Sequence, residues 1–298
     1  MSGGDNTPAM VGLLTDFGWT HYVGQMKAVL WHHAPHTNIV DISHSIPKQD
    51  VTYAALELLH CIEAFPAGAW IIAVVDPGVG TQRPVLLAEV RGVNVVLPDN
   101  GLITLIARKH PVGRLMALTN KEFWRQRVSR TFDGRDIMAT VVGQALRRPD
   151  IVPLLGQTIT SYQRLEVPEP EAFPGRIVGH ILYFDSFGNA ITNVGRSLLL
   201  QTFSELDLQE PETADGREEA GPVRFKIDGM TATPSLVTTY AAKQPGSFIA
   251  LFGSSGYLEF ALTNGNAARQ VGLQRNQRFE IVGRAAASMP AALHSRNF

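Results

Sequence analysis

Two hydrophobic periods alternate along the first half of the chain. Short apolar runs at Met10–Leu14, Asn38–Ile42 and Ile71–Val75 predict buried strands. Between these runs, apolar residues recur every three or four positions, which predicts helices capped by Thr20 and Asp50. A later helical run, Ile137–Arg147, follows Asp136, which is predicted to be its cap. An order of strand, helix, strand, helix, strand favours parallel pairing with right-handed crossovers. The pattern therefore predicts an α/β fold, with an N-terminal, mostly parallel α/β/α sheet domain.

The pattern changes in the second half of the chain. Residues 166–175 contain three prolines and no hydrophobic period, which is typical of a linker. Short turn-bounded strands follow, such as Arg176–Phe184 and Tyr257–Leu262, and they predict a smaller all-β, barrel-like domain. The predicted boundaries are 10–165 for the α/β domain, 166–175 for the linker, 176–284 for the β domain and 285–298 for a tail.

Composition narrows the class of protein. A net charge of -1 and a pI near 6.8 give no electrostatic reason to expect binding to nucleic acid or to an anionic membrane. The chain has neither a secretory leader pattern nor a long apolar run, so we expect no membrane association and a cytoplasmic location. The single cysteine, Cys61, excludes an internal disulfide framework.

An acidic residue directly follows the most apolar strand. Ile71–Val75 stops at Asp76, and ligands of open α/β sheets bind beyond the carboxyl ends of their strands. Arg83 is close enough in sequence to pair with Asp76 and to keep it ionised. These residues alone leave two interpretations open, a ligand-binding acid or a structural ion pair in a tight turn. The glycines between them complete neither a dinucleotide-binding nor a P-loop motif.

Seven motifs occur together in a fixed order. They are Thr15-Asp16-Phe17-Gly18, Tyr22-Val23-Gly24 with Lys27, Val40-Asp41-Ile42-Ser43-His44, Val74-Val75-Asp76-Pro77-Gly78-Val79-Gly80-Thr81 with Arg83, Pro98-Asp99-Asn100-Gly101, Thr131-Phe132 with Gly134-Arg135-Asp136, and Asp185-Ser186-Phe187-Gly188-Asn189. In this order the chain resembles the S-adenosylmethionine hydroxide adenosyltransferase family, whose relatives include fluorinases and chlorinases. The resemblance spans Val11 to Asn266, nearly the whole chain.

The resemblance implies hydrolysis of S-adenosyl-L-methionine to adenosine and L-methionine. Water displaces methionine from the 5′ carbon, and because a sulfonium is already a good leaving group, the main requirement is a water in line with the C–S bond. The resemblance also implies a homotrimer, with substrate between the first domain of one subunit and the second domain of a neighbour. We expect a small-molecule substrate, no cofactor and no metal.

The resemblance assigns site residues in both domains. In the first domain, Asp16 matches a carboxylate that accepts both ribose hydroxyls, and Asp76 and Arg83 match two members of an Asp–Arg–His set that orients the water. In the second domain, Asp185 matches a contact to the methionine ammonium, Phe187 and Asn189 match adenine contacts, Ser254 matches a contact to the methionine end, and Tyr257 and Glu259 complete the adenine pocket. Simpler interpretations are a helix-entry cap for Asp16 and a turn between strands for Asp185 to Asn189.

Two positions depart from the family pattern. Asp133 stands where the hydrolases usually have the histidine of the catalytic set, so two carboxylates are expected near Arg83, and one of their pKa values should rise. Such a pair can still hold a water; an equal alternative is reduced or redirected activity. His21 stands where the family commonly has an aspartate that pairs with the substrate ammonium, so Asp185 must supply more of that recognition.

Two other functions remain open. A halide adenosyltransferase is the nearest rival, but those enzymes have an uncharged residue at the position of Asp76, because a carboxylate in a dry pocket repels an anionic nucleophile. The other alternative is a catalytically impaired protein that binds S-adenosylmethionine or a nucleoside, which Asp133 and His21 keep open.

Overall fold

The computed structural model describes residues 9–203, 223–285 and 293–294. The chain divides into two compact units, Met1–Glu166 and Val167–Phe298. Among the described residues, no helix is long and apolar enough to cross a membrane.

The first unit is a seven-stranded sheet with helices. Its strands are β1 (Met10–Thr15), β2 (Asn38–Ser43), β3 (Trp70–Val74), β4 (Val85–Val90), β5 (Val93–Pro98), β6 (Val112–Ala117) and β7 (Gln157–Thr158). Its helices are α1 (His21–His33), α2 (Val51–Cys61), α3 (Thr104–Lys109) and α4 (Thr140–Arg147), the last preceded by a π-helical segment, Gly134–Ala139. The strand order is β2-β1-β3-β5-β4-β6-β7.

The sheet is mixed, which corrects the prediction that it is mostly parallel. Strands β2, β1, β3 and β5 pair in parallel, whereas β4, β6 and β7 add antiparallel pairs. The cause is the hairpin between β4 and β5. Arg91 and Gly92 have φ values of 55° and 76°, and two successive positive φ angles are what a tight type I′ hairpin requires. That turn makes β4 antiparallel to β5, and β6 and β7 then extend the sheet outward from β4 by further antiparallel pairing.

The parallel half of the sheet brings two predicted site residues to the same edge. β1 and β3 are neighbours, with Thr15 opposite Val74, so their carboxyl ends lie side by side. Asp16 and Asp76 follow these ends directly or after one residue. All five residues of β3 are buried, as its apolar run predicts. The core against this part of the sheet includes Met26 and Leu30 of α1 and Met138 and Val142 near α4.

The second unit is a nine-stranded, nearly closed, barrel-like sheet. Its strands are β8 (Glu171–Phe173), β9 (Arg176–Phe184), β10 (Ala190–Gly195), β11 (Val223–Ile227), β12 (Ser235–Leu236), β13 (Phe248–Phe252), β14 (Tyr257–Leu262), β15 (Arg278–Gly283) and β16 (Leu293–His294), and its helices are α5 (Arg196–Thr202) and α6 (Ala267–Gln270). Phe225, Phe260 and Phe279 pack edge to face in its core, with ring centroids 4.9 and 5.7 Å apart.

The predicted linker and tail contain regular structure. Residues 166–175 include β8, which pairs with β9 because the chain turns back at Gly175, where φ is 68°. Within the predicted tail 285–298, Ala285 forms a β-bridge with Phe203, and β16 pairs with β8. The other residues of the tail lie outside the described part of the chain.

Candidate active site

Asp76 forms a bidentate ion pair with Arg83. Arg83 Nε donates to Asp76 Oδ1 at 2.7 Å, and Arg83 Nη2 donates to Asp76 Oδ2. The Gly78 amide also donates to Oδ1, at 3.1 Å. The side chains of Asp76 and Arg83 are only 5% and 6% exposed. The predicted pairing is therefore present, and it lies just beyond the carboxyl end of β3.

Arg83 binds a second carboxylate as well. Its Nη2 donates to Asp133 Oδ2 at 2.9 Å, and the Asp133 side chain is 16% exposed. One guanidinium therefore joins two acids that are far apart in sequence. The expected placement of Asp133 near Arg83 is observed.

Close backbone packing explains how the two acids meet. Gly80 has a φ of +82°, and a Cβ atom on it would lie 2.4 Å from the carbonyl oxygen of Arg130. Gly134 lies against Val74 at the end of β3, where an added Cβ would be 3.2 Å from both Val74 methyl carbons. The glycines thus let the segment that carries Asp133 approach both β3 and the loop after it.

Asp136 does not cap a helix, contrary to the prediction. Its buried carboxylate accepts hydrogen bonds from Arg135 Nε at 2.7 Å, the Ser129 amide at 2.7 Å and Arg125 Nη1 at 3.3 Å. Burial disfavours ionisation, but these bonds outweigh it and hold the pKa of Asp136 below its ordinary value. Asp136 instead stabilises the loop that leads into the π-helical segment, which begins two residues before it.

Burial changes the acid–base properties of the Arg83-bound carboxylates. It raises the pKa of Asp76, although Arg83 and the Gly78 amide favour ionisation, and the charge of Asp133 adds to the rise. It also raises the pKa of Asp133, against the opposing effect of Arg83. The sequence predicted one raised pKa from like-charge repulsion. Both are raised, and loss of hydration is the main cause.

A cavity of about 270 Å³ opens beside these residues. Its wall contains three acids and three aromatic rings, namely Asp16, Asp76, Asp133, Phe17, Tyr22 and Phe132. The three rings contact one another, with centroids 5.2 to 5.7 Å apart. The arrangement combines hydrogen-bond acceptors with apolar faces, which suits a ligand with hydroxyl groups and a flat or cationic part.

Asp16 faces this cavity and does not cap helix α1. That helix begins at His21, with Thr20 at its N-cap position, and the Thr20 hydroxyl donates to the Phe17 carbonyl instead of capping. The Gln49 amide donates to Asp16 Oδ2 at 2.8 Å. Asp50, by contrast, caps α2 as predicted, accepting from the Tyr53 amide at 2.9 Å.

The second unit holds the remaining predicted residues. Asp185 Oδ1 accepts from the amides of Phe187 and Asn189 at 2.9 and 2.8 Å, and its Oδ2 accepts from Asn189 Nδ2 at 3.0 Å. The turn expected from these residue types is therefore formed. It leaves the Phe187 side chain 75% exposed and Asn189 buried. Ser254 is exposed in the turn between β13 and β14.

A buried polar cluster adjoins that turn. Glu259 and Tyr257 lie on β14 and are 4% and 8% exposed. The hydroxyl of Tyr240 donates to Glu259 Oε1 and lies 3.5 Å from Asn189 Nδ2. Burial raises the pKa of Glu259, and the hydrogen bond from Tyr240 opposes this rise. Tyr240 belongs to no motif in the sequence and was missed, and so was Gln49.

The histidines do not assemble a metal site in the part of the chain that the structure describes, where no three acidic, histidine or cysteine side chains form a candidate group. His21 is exposed and its ring lies against Tyr22, with centroids 4.1 Å apart. His44 is buried and hydrogen-bonded to Asp41 and Thr15.

Comparison with known proteins finds matches to one protein family in both units. Residues 11–151 match the family model for the SAM hydroxide adenosyltransferase N-terminal domain, and residues 179–280 match the one for the C-terminal domain. An (R)-S-adenosyl-L-methionine hydrolase from Thermus thermophilus is 33% identical, over 91% of this chain and 99% of its own length. A hydrolase of the same name from Methanocaldococcus jannaschii is 27% identical, over 93% and 97%.

A solved structure supports the fold, and a halogenating relative is also detectable. A conserved protein from Thermotoga maritima is 28% identical, with a TM-score of 0.81 over 92% of this chain and all of that one. A fluorinase from Actinoplanes is 25% identical, over 86% of this chain and 91% of its own length. Both family domains, in order and over most of the sequence, place this chain in the SAM hydroxide adenosyltransferase family.

Proposed function

We propose that this protein hydrolyses S-adenosyl-L-methionine to adenosine and L-methionine, with Asp76 holding the attacking water. The observation that carries the proposal is the buried Asp76–Arg83 pair at the edge of a cavity that also contains Asp16. The 33% identity to a named hydrolase, over 99% of that protein's length, supports it.

The chemistry needs only one proton acceptor. A water donates a hydrogen bond to the Asp76 carboxylate and attacks the 5′ carbon opposite the sulfur. The new C–O bond forms as the C–S bond breaks, and the electron pair of that bond stays on sulfur, which becomes the neutral thioether of methionine. The water proton passes to Asp76, whose raised pKa suits this role. Arg83 holds the carboxylate in a fixed orientation.

Asp133 and Asp16 have distinct roles in this proposal. Asp133 takes the place of the family histidine and holds Arg83 through Nη2, the same nitrogen that donates to Asp76 Oδ2. Asp16 accepts the two ribose hydroxyls, which suits a carboxylate with two oxygens. Asp16 and Asp76 are far apart in sequence, but the parallel pairing of β1 and β3 brings them to the same edge of the sheet.

The second unit supplies the remaining substrate contacts. Phe187 offers an exposed ring for stacking on adenine, and Asn189, Tyr257 and Glu259 form the buried polar side of that pocket. Asp185 receives the methionine ammonium. Three of its roughly four acceptor positions are used within its own turn, so about one is left for the ligand. Ser254 contacts the methionine end. We propose a homotrimer and no cofactor, on the strength of the family resemblance.

The rival halide reaction is disfavoured by charge. Asp76 and Asp133 share one guanidinium, so the three side chains together carry a net negative charge. This charge repels a halide ion, and the repulsion is strong because the group is poorly hydrated.

Incubation with S-adenosylmethionine in chloride and in chloride-free buffer, followed by chromatography, separates the candidate functions. Adenosine in both buffers supports the hydrolase. A chlorinated nucleoside supports the halide enzyme, and bound, unconverted substrate supports a binding protein.

Asp76→Asn tests the assigned base directly. The amide keeps the size of the side chain but cannot take a proton, so kcat should fall by about 10²- to 10⁴-fold while KM changes little. Asp150→Asn is the matched control, because the Asp150 side chain is 70% exposed and pairs with Arg148 on the surface. Loss of substrate binding in Asp76→Asn would show that Asp76 has a structural role instead.

A further inference from the structure

A series of hydrogen bonds connects helix α1 to the loop that carries Asp16. Lys27 Nζ on α1 donates to Asp41 Oδ2 on β2 at 2.7 Å. Asp41 Oδ1 lies 2.9 Å from His44 Nε2, and His44 Nδ1 lies 2.9 Å from the hydroxyl of Thr15. We call Lys27, Asp41, His44 and Thr15 the relay. None of its members has a role in the proposed reaction.

The direction of each bond follows from the donor and acceptor types. An ionised carboxylate only accepts, so His44 Nε2 carries the hydrogen that faces Asp41. In the neutral ring, Nδ1 then accepts from the Thr15 hydroxyl, whose oxygen in turn accepts from the Phe17 amide at 3.3 Å. Burial disfavours the charge on Asp41, but the bonds from Lys27 and His44 outweigh it and keep its pKa below the ordinary value.

The relay does not act as a nucleophilic triad. Hydroxyl, imidazole and carboxylate occur in the order that serine hydrolases use. However, Thr15 and His44 are 0% and 1% exposed, and neither lines the cavity beside Asp76. No substrate carbon can reach the Thr15 hydroxyl, so its function must be exerted through the backbone that it holds.

The backbone that the relay holds is the segment from Asp16 to Gly18, of which Asp16 and Phe17 line the cavity. Thr15 receives the Phe17 amide, and the carbonyl of His44 accepts from the Gly18 amide at 2.8 Å. In addition, the backbone amide of Gln49 donates to the Asp16 carboxylate. Asp16 thus sits in a short loop that is held from both sides, and two of the contacts depend on the placement of His44.

We propose that the relay is a positioning device that sets Asp16 and Phe17 for the ribose of the substrate. This inference rests on the proposed role of Asp16. A carboxylate must meet both ribose hydroxyls at hydrogen-bond distance, and a small displacement of the loop breaks both bonds. Thr15, His44 and Lys27 are therefore positioning residues that act through Asp16.

Thr15→Val tests the relay, because valine keeps the shape of threonine and removes the hydroxyl. We expect KM for S-adenosylmethionine to rise roughly tenfold, the size expected for one lost hydrogen bond, with a smaller change in kcat. Thr15→Ser should restore the wild-type KM. Thr202→Val is the matched control, since Thr202 is equally buried and donates to the Leu198 carbonyl on α5; its kinetics should match the wild type.

A double variant separates positioning from a general structural effect. If the relay acts through Asp16, Thr15→Val should raise KM no further in an Asp16→Asn background. Additive losses, or an unchanged KM in Thr15→Val, would overturn the proposal. If Thr15→Val does not fold, Lys27→Met at the partly exposed end of the relay takes its place, with the same expected direction.

Amide hydrogen exchange tests the relay independently of catalysis. The Phe17 and Gly18 amides should exchange faster in Thr15→Val than in wild type, and Thr202→Val should leave them unchanged. Wild-type exchange rates in Thr15→Val would refute the relay. Absence of adenosine formation by the wild-type protein, with faster exchange in the variant, would refute the hydrolase proposal alone.

Discussion

Arg83 provides one positive charge for two partly buried carboxylates. Burial therefore raises both pKa values despite the guanidinium, and Asp133 adds to the rise at Asp76. The proposed base works only when ionised. Turnover should consequently fall in acid solution, and the midpoint of that fall should lie above the ordinary aspartate pKa of about 3.9.

Asp133→Asn should move this acidic limb to lower pH. The substitution removes a negative charge that raises the pKa of Asp76, so the base stays ionised in more acid solution. The pH profile of kcat/KM measures the shift, with Asp150→Asn as the surface control. An unchanged profile and rate would show that Asp133 does not act on the base. Asp133→His should instead introduce a transition near the ordinary histidine pKa of about 6.5.

The same raised pKa predicts a stability effect. A carboxyl with a higher pKa in the folded chain contributes stability below its unfolded pKa, and that contribution is lost as the pH rises through the folded value. Asparagine does not titrate, so the Asp133→Asn variant does not lose stability in this way as the pH rises. The Tm difference, variant minus wild type, should therefore become more positive as the pH rises above the ordinary aspartate pKa. A difference that is independent of pH would contradict the raised pKa.

The loop after β3 depends on one close backbone contact. Gly80 and Gly68 both have positive φ angles, +82° and +85°, but only Gly80 faces a carbonyl oxygen where its Cβ would be. Gly68→Ala should cost roughly 1 to 2 kcal/mol of unfolding free energy, from backbone strain alone. Gly80→Ala should cost more and lower kcat, because Arg130 must move and Asp133 with it. Urea unfolding and turnover measure both effects, and equal costs would contradict this contact.

The elements that the sequence predicted well are those with local signals. The apolar run at Ile71–Val75 predicted a strand within one residue of β3, because complete burial leaves an uninterrupted apolar pattern. Asp50 was predicted as a cap from residue type and position alone, and the cap is formed. The turn at Asp185 to Asn189 likewise follows from its own side chains.

Other features depend on residues far apart in sequence and were not predicted. Asp136 looked like a helix cap, but its partners Arg125 and Ser129 belong to the preceding loop. The π-helical segment at Gly134–Ala139 has no local period, and its start is packed against Val74. Tyr240 reaches Glu259 across 19 positions without any motif. Only tertiary packing identifies these contacts.

The whole chain is expected to act as a homotrimer. This prediction comes from the family resemblance, and sedimentation velocity tests it. The main species should have three times the mass of the 32.5 kDa chain. A monomer that still produces adenosine would show that one chain contains all the residues needed for turnover.

The burial of β3 limits how this enzyme can change during evolution. Successive strand residues point to opposite faces, so adding or deleting one residue within Trp70–Val74 would reverse the orientation of every side chain after it, including the proposed base. Natural insertions and deletions are therefore expected to be excluded from this strand, and new chemistry should arise by replacement of residues at its end.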